Sequence, residues 1–216
     1  MTTQPRPTAR TVGDVMSARV VTATSGTPFK ELVRLMDEHR VSALPVLDEG
    51  RRVLGLVSEA DLLLKQADRQ RRLGMRSGLL DPDEAARTAA LRAADLMSAP
   101  AVVTGPDATV AAAARTMIRR RVKRLPVVDD DGVLLGIVSR ADVLTVFLRA
   151  DDALGEDVRT ALAAALGADE AAGLSVAVAD GVVTLGGTLA DTARIPLVAE
   201  TVRAVDGVVD VTFALG

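Results

Sequence analysis

Two serines, 81 residues apart, each stand three residues before an aspartate. Gly55-Leu56-Val57-Ser58-Glu59-Ala60-Asp61 returns as Gly136-Ile137-Val138-Ser139-Arg140-Ala141-Asp142. Ser-x-x-Asp between an apolar run and a helix is in the first place a capping box. The serine accepts from the backbone N–H three residues on, and the carboxylate reaches back to the serine's own N–H. Capping by itself requires neither the preceding glycine nor a second copy. A helix N-terminus with free N–H groups and a hydroxyl also attracts phosphate, and a glycine on the approaching strand permits close backbone contact. An aspartate one turn along can accept both hydroxyls of a ribose. These residue types hold a ligand; they do not make or break bonds. The single histidine, His39, has no nucleophile and orienting partner within a recognisable pattern, so no catalytic residue is expected.

The elements that position the motif repeat with it. Val41 to Asp48 (VSALPVLD) returns as Val122 to Asp129 (VKRLPVVD), and Met16-Ser17 returns as Met97-Ser98. Thr27-Pro28 predicts a helix start, with a hydroxyl to cap free N–H groups and a proline where no N–H is needed. Phe29, Leu32, Val33 and Met36 then follow at i, i+3, i+4, i+7, one apolar helical face. Val110, Ala113, Ala114 and Met117 occupy the same places in the second copy. Polar turns at Asp48-Glu49-Gly50-Arg51 and at Asp129-Asp130-Asp131-Gly132 separate two apolar runs, so each copy holds a β-hairpin. The aspartate run reads as that turn; a metal site would need further ligands. Helices are expected over Glu59 to Lys65 and Arg140 to Arg149. Each copy is too small to be self-sufficient and packs on its twin.

This order resembles the CBS domain, the module named for cystathionine β-synthase that occurs in tandem pairs. The resemblance runs from Thr11 to Arg149 and matches several elements, twice, in order. It implies an α/β (α+β) fold of two β-α-β-β-α repeats packed as a pseudo-twofold pair. It also implies that adenine-containing ligands bind in clefts between the repeats and that the pair regulates something else, as a homodimer. By motif position, phosphate and ribose fall to Ser58 and Asp61 in the first copy and to Ser139 and Asp142 in the second. The base-lining strand positions are Ala43, Leu44 and Pro45, then Arg124, Leu125 and Pro126. Thr22 and its equivalent Val103 join the expected ligand-binding set, as does Lys123. The family usually has threonine where this chain has both serines. No cofactor is required beyond an adenine nucleotide as regulatory ligand.

The copies differ in charge. Ser42-Ala43 in the first becomes Lys123-Arg124 in the second, closing the run Arg119-Arg120-Arg121-Val122-Lys123-Arg124. Cations there predict that the second cleft takes the more highly phosphorylated ligand. The plainer alternative is a solvated basic helix end opposing its own dipole. Nucleic acid is not an expected partner, since neither interleaved aromatics nor a reading-helix motif accompanies the run.

Beyond Asp151 the chain changes character. An amphipathic helix carries Leu154, Val158, Leu162 and Leu166. Leu174 to Ala179 alternates into Asp180-Gly181, a preferred tight-turn dipeptide, and Val182 to Leu189 returns. A second helix follows Asp191, with Pro196 forcing a late start or a kink, and a last strand runs from Val208 to Leu215. Val182-Val183-Thr184-Leu185-Gly186-Gly187 and Val205-Asp206-Gly207-Val208-Val209-Asp210-Val211 are similar to the BON module, a small α-β-β-α-β unit. Gly187 and Gly207 read as a close strand crossing and a turn. That family is proposed to contact phospholipid. Residues 151–216 hold 3 Lys and Arg against 11 Asp and Glu, a net of −8, against +5 over residues 1–150 from 23 and 18. Anionic headgroups repel such a tail, so an unknown protein partner is expected and a membrane disfavoured, with a ligand-free adaptor or a peripheral membrane-associated stress protein as the alternatives. The organisation expected is a flexible tail over 1–10, repeats over 11–65 and 92–149, a linker with some helix at either end over 66–91, and the tail domain over 150–216.

Composition bounds the function further. Cysteine, tryptophan and tyrosine are absent, which excludes disulfides, thiolate chemistry and tryptophan or tyrosine stacking. Met1 to Arg10 carries two prolines and two arginines with no apolar run behind it, unlike a secretory signal. No apolar run reaches the length of a spanning helix, and a cytoplasmic protein is expected.

Overall fold

The computed structural model describes residues 10–63, 91–189 and 191–215. The expected terminal tail, apart from Arg10, and the expected linker, apart from Leu91, lie outside the described residues. The described residues form two compact units: one holds residues 16–63, 91–108 and 115–139, the other residues 10–15, 109–114, 140–189 and 191–215.

The first unit is built on the two hairpins. β1 (Ala23–Thr24) lies parallel to β2 (Ala43–Leu47), which pairs antiparallel with β3 (Val53–Ser58). In the second copy β4 (Arg124–Val128) pairs with β5 (Leu134–Ser139) in the same register, with the same irregularity near the turn. The strand expected ahead of them shrinks to a single parallel bridge from Thr104 to Val127.

The copies exchange their leading segments. Ser17 pairs with Ile137 of the second hairpin, and its equivalent Ser98 pairs with Leu56 of the first. Arg52 and Val133, themselves equivalent, bridge one another; the Val53 N–H donates to the Gly132 carbonyl and the Leu134 N–H to the Arg51 carbonyl, both at 3.1 Å. Residues 81 apart thus meet reciprocally, as a pseudo-twofold axis requires. The exchange also explains the glycines. A Cβ on Gly55 would stand 2.6 Å from Met97 Sδ and 2.9 Å from the Ser98 carbonyl, and one on Gly136 2.6 Å from Met16 Sδ and 3.0 Å from the Ser17 carbonyl. The close approach anticipated there is made by the partner repeat's Met-Ser segment.

Helix Phe29–His39 buries Leu32 and Met36 against Leu44, Val46 and Val57, together with Ala93 and Leu96 from the second copy's short helix Ala93–Leu96. Each fully buried leucine contributes about 2–3 kcal/mol of transfer free energy. Two expectations fail here. Val33 is 44% exposed, because the buried stripe follows Leu32 and Met36 and Val33 lies at its margin. Thr27 does not cap: Pro28 holds the cap position without a side-chain bond, and the Thr27 hydroxyl accepts from the Thr24 N–H at 2.9 Å. His39 ends the helix in solvent.

The second unit carries the tail module. Helix Asp151–Leu166 lays Leu154, Val158 and Leu162 on a sheet of β6 (Leu174–Ala179), β7 (Val182–Gly187) and β8 (Asp210–Leu215). β6 and β7 are antiparallel through Asp180 and Gly181, whose φ values of 51° and 75° suit the tight turn; β8 runs parallel to β7. Both turn N–H groups donate to the Asp151 carboxylate at 2.9 and 3.0 Å. Pro196 gives the late start: a 3-10 turn, Thr192–Arg194, precedes helix Ile195–Arg203. The helix expected over Arg140 to Arg149 stops at Leu144 and continues as the 3-10 turn Thr145–Leu148, and β8 begins two residues later than expected. A short helix, Ala168–Ala172, was not legible in the sequence. Arg149 fixes the turn after helix Ile195–Arg203, donating to the Asp206 carbonyl at 2.9 Å and to the Asp157 carboxylate at 2.6 Å.

Candidate functional site

Ser58 is the last residue of β3, directly across from Ala43 on β2, and helix begins at residue 59. The Ser58 N–H donates to Asp61 Oδ2 at 2.8 Å, the carboxylate half of the expected box. The other half is inverted: the Ser58 hydroxyl donates to the same Oδ2 at 2.7 Å. Asp61 therefore gathers both donors of the serine. Thr11 and Asp14 repeat this arrangement at the start of helix Val12–Val15, with the N–H at 2.8 Å and the hydroxyl at 3.0 Å. Those two bonds hold the Asp14 carboxyl below its ordinary value, the backbone N–H contributing most. The sequence spells that start Thr-x-x-Asp. The bond pattern is thus a helix start wherever it occurs.

Ser58 and Asp61 also line a cavity. About 280 Å³ in volume, it is walled by Ser58, Asp61 and Ala43 on one side and by Arg121, Lys123 and Arg124 on another, near the small end of ligand pockets. Leu56, Glu59, Ser98 and Val122 also line it. Ser98 belongs to the Met-Ser segment exchanged between repeats, so the 81-residue repeat carried a signal for it that only the pairing made legible.

Lys123 and Arg124 reach further than their place in the repeat suggests: they line the cavity of Ser58 and Asp61, while Arg124 also stands across from Ser139 of the second motif. The pseudo-twofold packing sets the start of β4 beside the start of β2, where Arg124 Nη2 donates to Ser42 Oγ at 2.5 Å. The asymmetry in charge therefore reaches the first motif as well. Leu44 and Leu125, expected to line a base, are fully buried in the core; along a strand, side chains alternate between faces, and theirs point away from the cavity. Pro45 and Pro126 are buried within β2 and β4. Thr22 stands half-buried before β1, and Val103 is exposed before the Thr104 bridge. Ser139 closes β5 opposite Arg124, and Asp142 lies in the helix Arg140–Leu144 that follows.

A larger cavity of about 910 Å³ adjoins the first, sharing Ser42, Glu59 and Arg124 and bounded also by Phe29, Val33 and Leu63. Asp129 Oδ1 accepts from the N–H groups of Asp131 and Val133, which assigns the aspartate run to its turn. Among the described residues no carboxylate and histidine cluster could hold a metal, and no helix is long and apolar enough to cross a membrane.

Comparison with known families matches the CBS domain model twice, at residues 12–68 and 93–149, and the BON domain model at residues 150–215. The chain belongs to the CBS-domain proteins. This CBS protein is 30% identical over 135 residues to an uncharacterized protein of Methanopyrus kandleri, covering 62% of this chain and 61% of the relative. It is also 30% identical to the CBS domain-containing protein CBSX1 of Arabidopsis thaliana, with 67% of each chain covered. The structure of CBSX2 in complex with AMP superposes with a TM-score of 0.52 at 30% identity, over 64% of this chain and 96% of that one. The CBS pair of protein MJ0100, solved with 5′-methylthioadenosine and S-adenosylmethionine, shares the fold at a TM-score of 0.53 and 22% identity, over 64% and 96%. These matches confirm the tandem CBS pair, its α+β fold and the following BON domain.

Proposed function

We propose that this protein is a regulatory sensor of an adenosyl ligand, AMP, ADP, ATP or a relative, held by its CBS pair. The observation that carries the reading is the cavity in which Ser58 and Asp61 face three cations. The AMP held by CBSX2 and the adenosyl ligands of the MJ0100 pair support it. A ribose diol donating to Asp61 competes with the Ser58 hydroxyl, which is released to turn toward a phosphate. The ligand thereby favours one arrangement of the helix start, and only such differential affinity shifts a population. The BON domain relays that state to a protein partner, the pair working as a homodimer in the cytoplasm and without an enzymatic activity of its own.

Thermal denaturation with AMP, ADP, ATP and S-adenosylmethionine tests the core of this. A ligand at one hundred times its Kd adds about 2.7 kcal/mol of stability, and Asp61→Ala abolishes the shift. A melting point unmoved by every adenosyl ligand refutes the sensor. Light scattering after size exclusion reads the dimer, and cell fractionation the compartment.

A second reading is a ligand-free adaptor that joins the CBS pair to a partner of the BON domain. The Thr11 and Asp14 pair favours it, since the same bonds form there as an ordinary helix start. The same thermal series separates the two readings.

A further inference from the structure

The cavity of Ser58 and Asp61 has an excess of cations that the fold leaves uncompensated. Arg121, Lys123 and Arg124 face two carboxylates, Glu59 and Asp61, and Asp61 is already engaged by Ser58. Among the described residues no ion pair engages any of the three, whereas Arg34, Arg149 and Arg203 each hold a carboxylate. Arg124 is half-buried and its guanidinium donates to a neutral hydroxyl, Ser42 Oγ. A part-desolvated guanidinium with a neutral acceptor has the most to gain from an incoming anion. Backbone geometry fixes the cluster: helix Val110–Arg119 ends in a turn that holds Arg121 at φ 55°, and β4 begins at Arg124. The equivalent positions in the first copy, Arg40, Ser42 and Ala43, supply one cation instead of three.

We propose that Arg121, Lys123 and Arg124 are specificity-determining residues, making this cavity select nucleoside di- and triphosphates over adenosyl ligands with an uncharged tail. The inference rests on the adenosyl reading above and names its ligand class. Arg124 and Ser42 also border the adjoining 910 Å³ cavity. A guanidinium that leaves Ser42 for a phosphate opens the wall between the two, giving a polyphosphate tail room that the smaller cavity lacks.

Titration calorimetry with ATP, AMP and 5′-methylthioadenosine, on the full chain and on Arg124→Ala, Lys123→Ala and Arg121→Asn, tests the selection. Asparagine tolerates the positive φ at position 121, and Lys123 is exposed, so two of the variants keep the fold if Arg124→Ala does not. The expected order on the wild-type chain is ATP tighter than AMP, and AMP tighter than the thioether. Arg124→Ala weakens ATP about ten- to a hundredfold, the range for a charged hydrogen bond. Lys123→Ala weakens it up to about fivefold. The thioether changes by less than about twofold in every variant, and raised salt lowers ATP affinity most. Equal affinity for ATP and the thioether, or variants that weaken all three ligands alike, overturns the selection while leaving the adenosyl reading intact. Failure of all three ligands to bind the wild-type chain refutes both.

Discussion

Gly55→Ala separates two reasons for a glycine before the Ser-x-x-Asp motif. The new methyl carbon stands 2.6 Å from Met97 Sδ, which can swing away, and 2.9 Å from the Ser98 carbonyl, which cannot. That carbonyl accepts from the Leu56 N–H at 3.1 Å, and the Ser98 N–H returns a bond to Leu56 at 2.9 Å, so relief of the clash stretches both. Overpacking of this kind costs about 1–3 kcal/mol. The alanine recovers about 0.5–1 kcal/mol by restricting the unfolded chain. The net expectation is a loss of about 1–2 kcal/mol, or about 2–8 °C in Tm for a chain of this size. Differential scanning calorimetry of the ligand-free protein measures it. Gly136→Ala should match it, since its methyl meets Met16 and Ser17 in the same way, and Gly105→Ala, which meets nothing within 4 Å, should be neutral or slightly stabilising. Ligand-free Gly55→Ala as stable as Gly105→Ala, with adenosyl binding lost, would mean that the glycine serves the ligand and that the account from the exchanged segments is wrong.

Arg149→Ala removes the bonds to Asp206 and Asp157 that fix the last turn of the tail module. Asp157 is partly exposed, which screens the ion pair, so a loss of about 1–2 kcal/mol is expected, read as increased hydrogen exchange at residues 204–209; unchanged exchange there would count against the role. Asp14 offers a pH test. Its carboxyl is held below the ordinary 3.8 by Thr11, so its contribution is complete above that value and is lost as pH falls through the lowered one. The stability difference between the wild-type chain and Asp14→Asn should therefore be flat from neutral pH down to about 4 and shrink below it. A difference that begins to shrink near neutrality would disprove the assignment.

Local residue chemistry determined much of this protein. The 81-residue repeat set the two hairpins in one register, Asp180-Gly181 set the tail turn, and Pro196 set the late helix, because a turn dipeptide or a missing N–H acts within a few residues. The reach of Asp61 back to Ser58 was legible for the same reason. Long-range pairing decided the rest. Why Gly55 and Gly136 are glycines depends on the exchange of Met16-Ser17 and Met97-Ser98 between repeats, which cations stand over Ser58 depends on β4 lying beside β2, and Leu44 joins the core by packing on helix Phe29–His39. Sequence shows that two segments are equivalent; it cannot show that each lies on the other's copy, since a hydrogen bond between Ser98 and Leu56 leaves no local mark at either residue. The charge difference between Ser42-Ala43 and Lys123-Arg124 was therefore visible from composition. That it reaches the first motif depends on the pairing that sets Arg124 on Ser42.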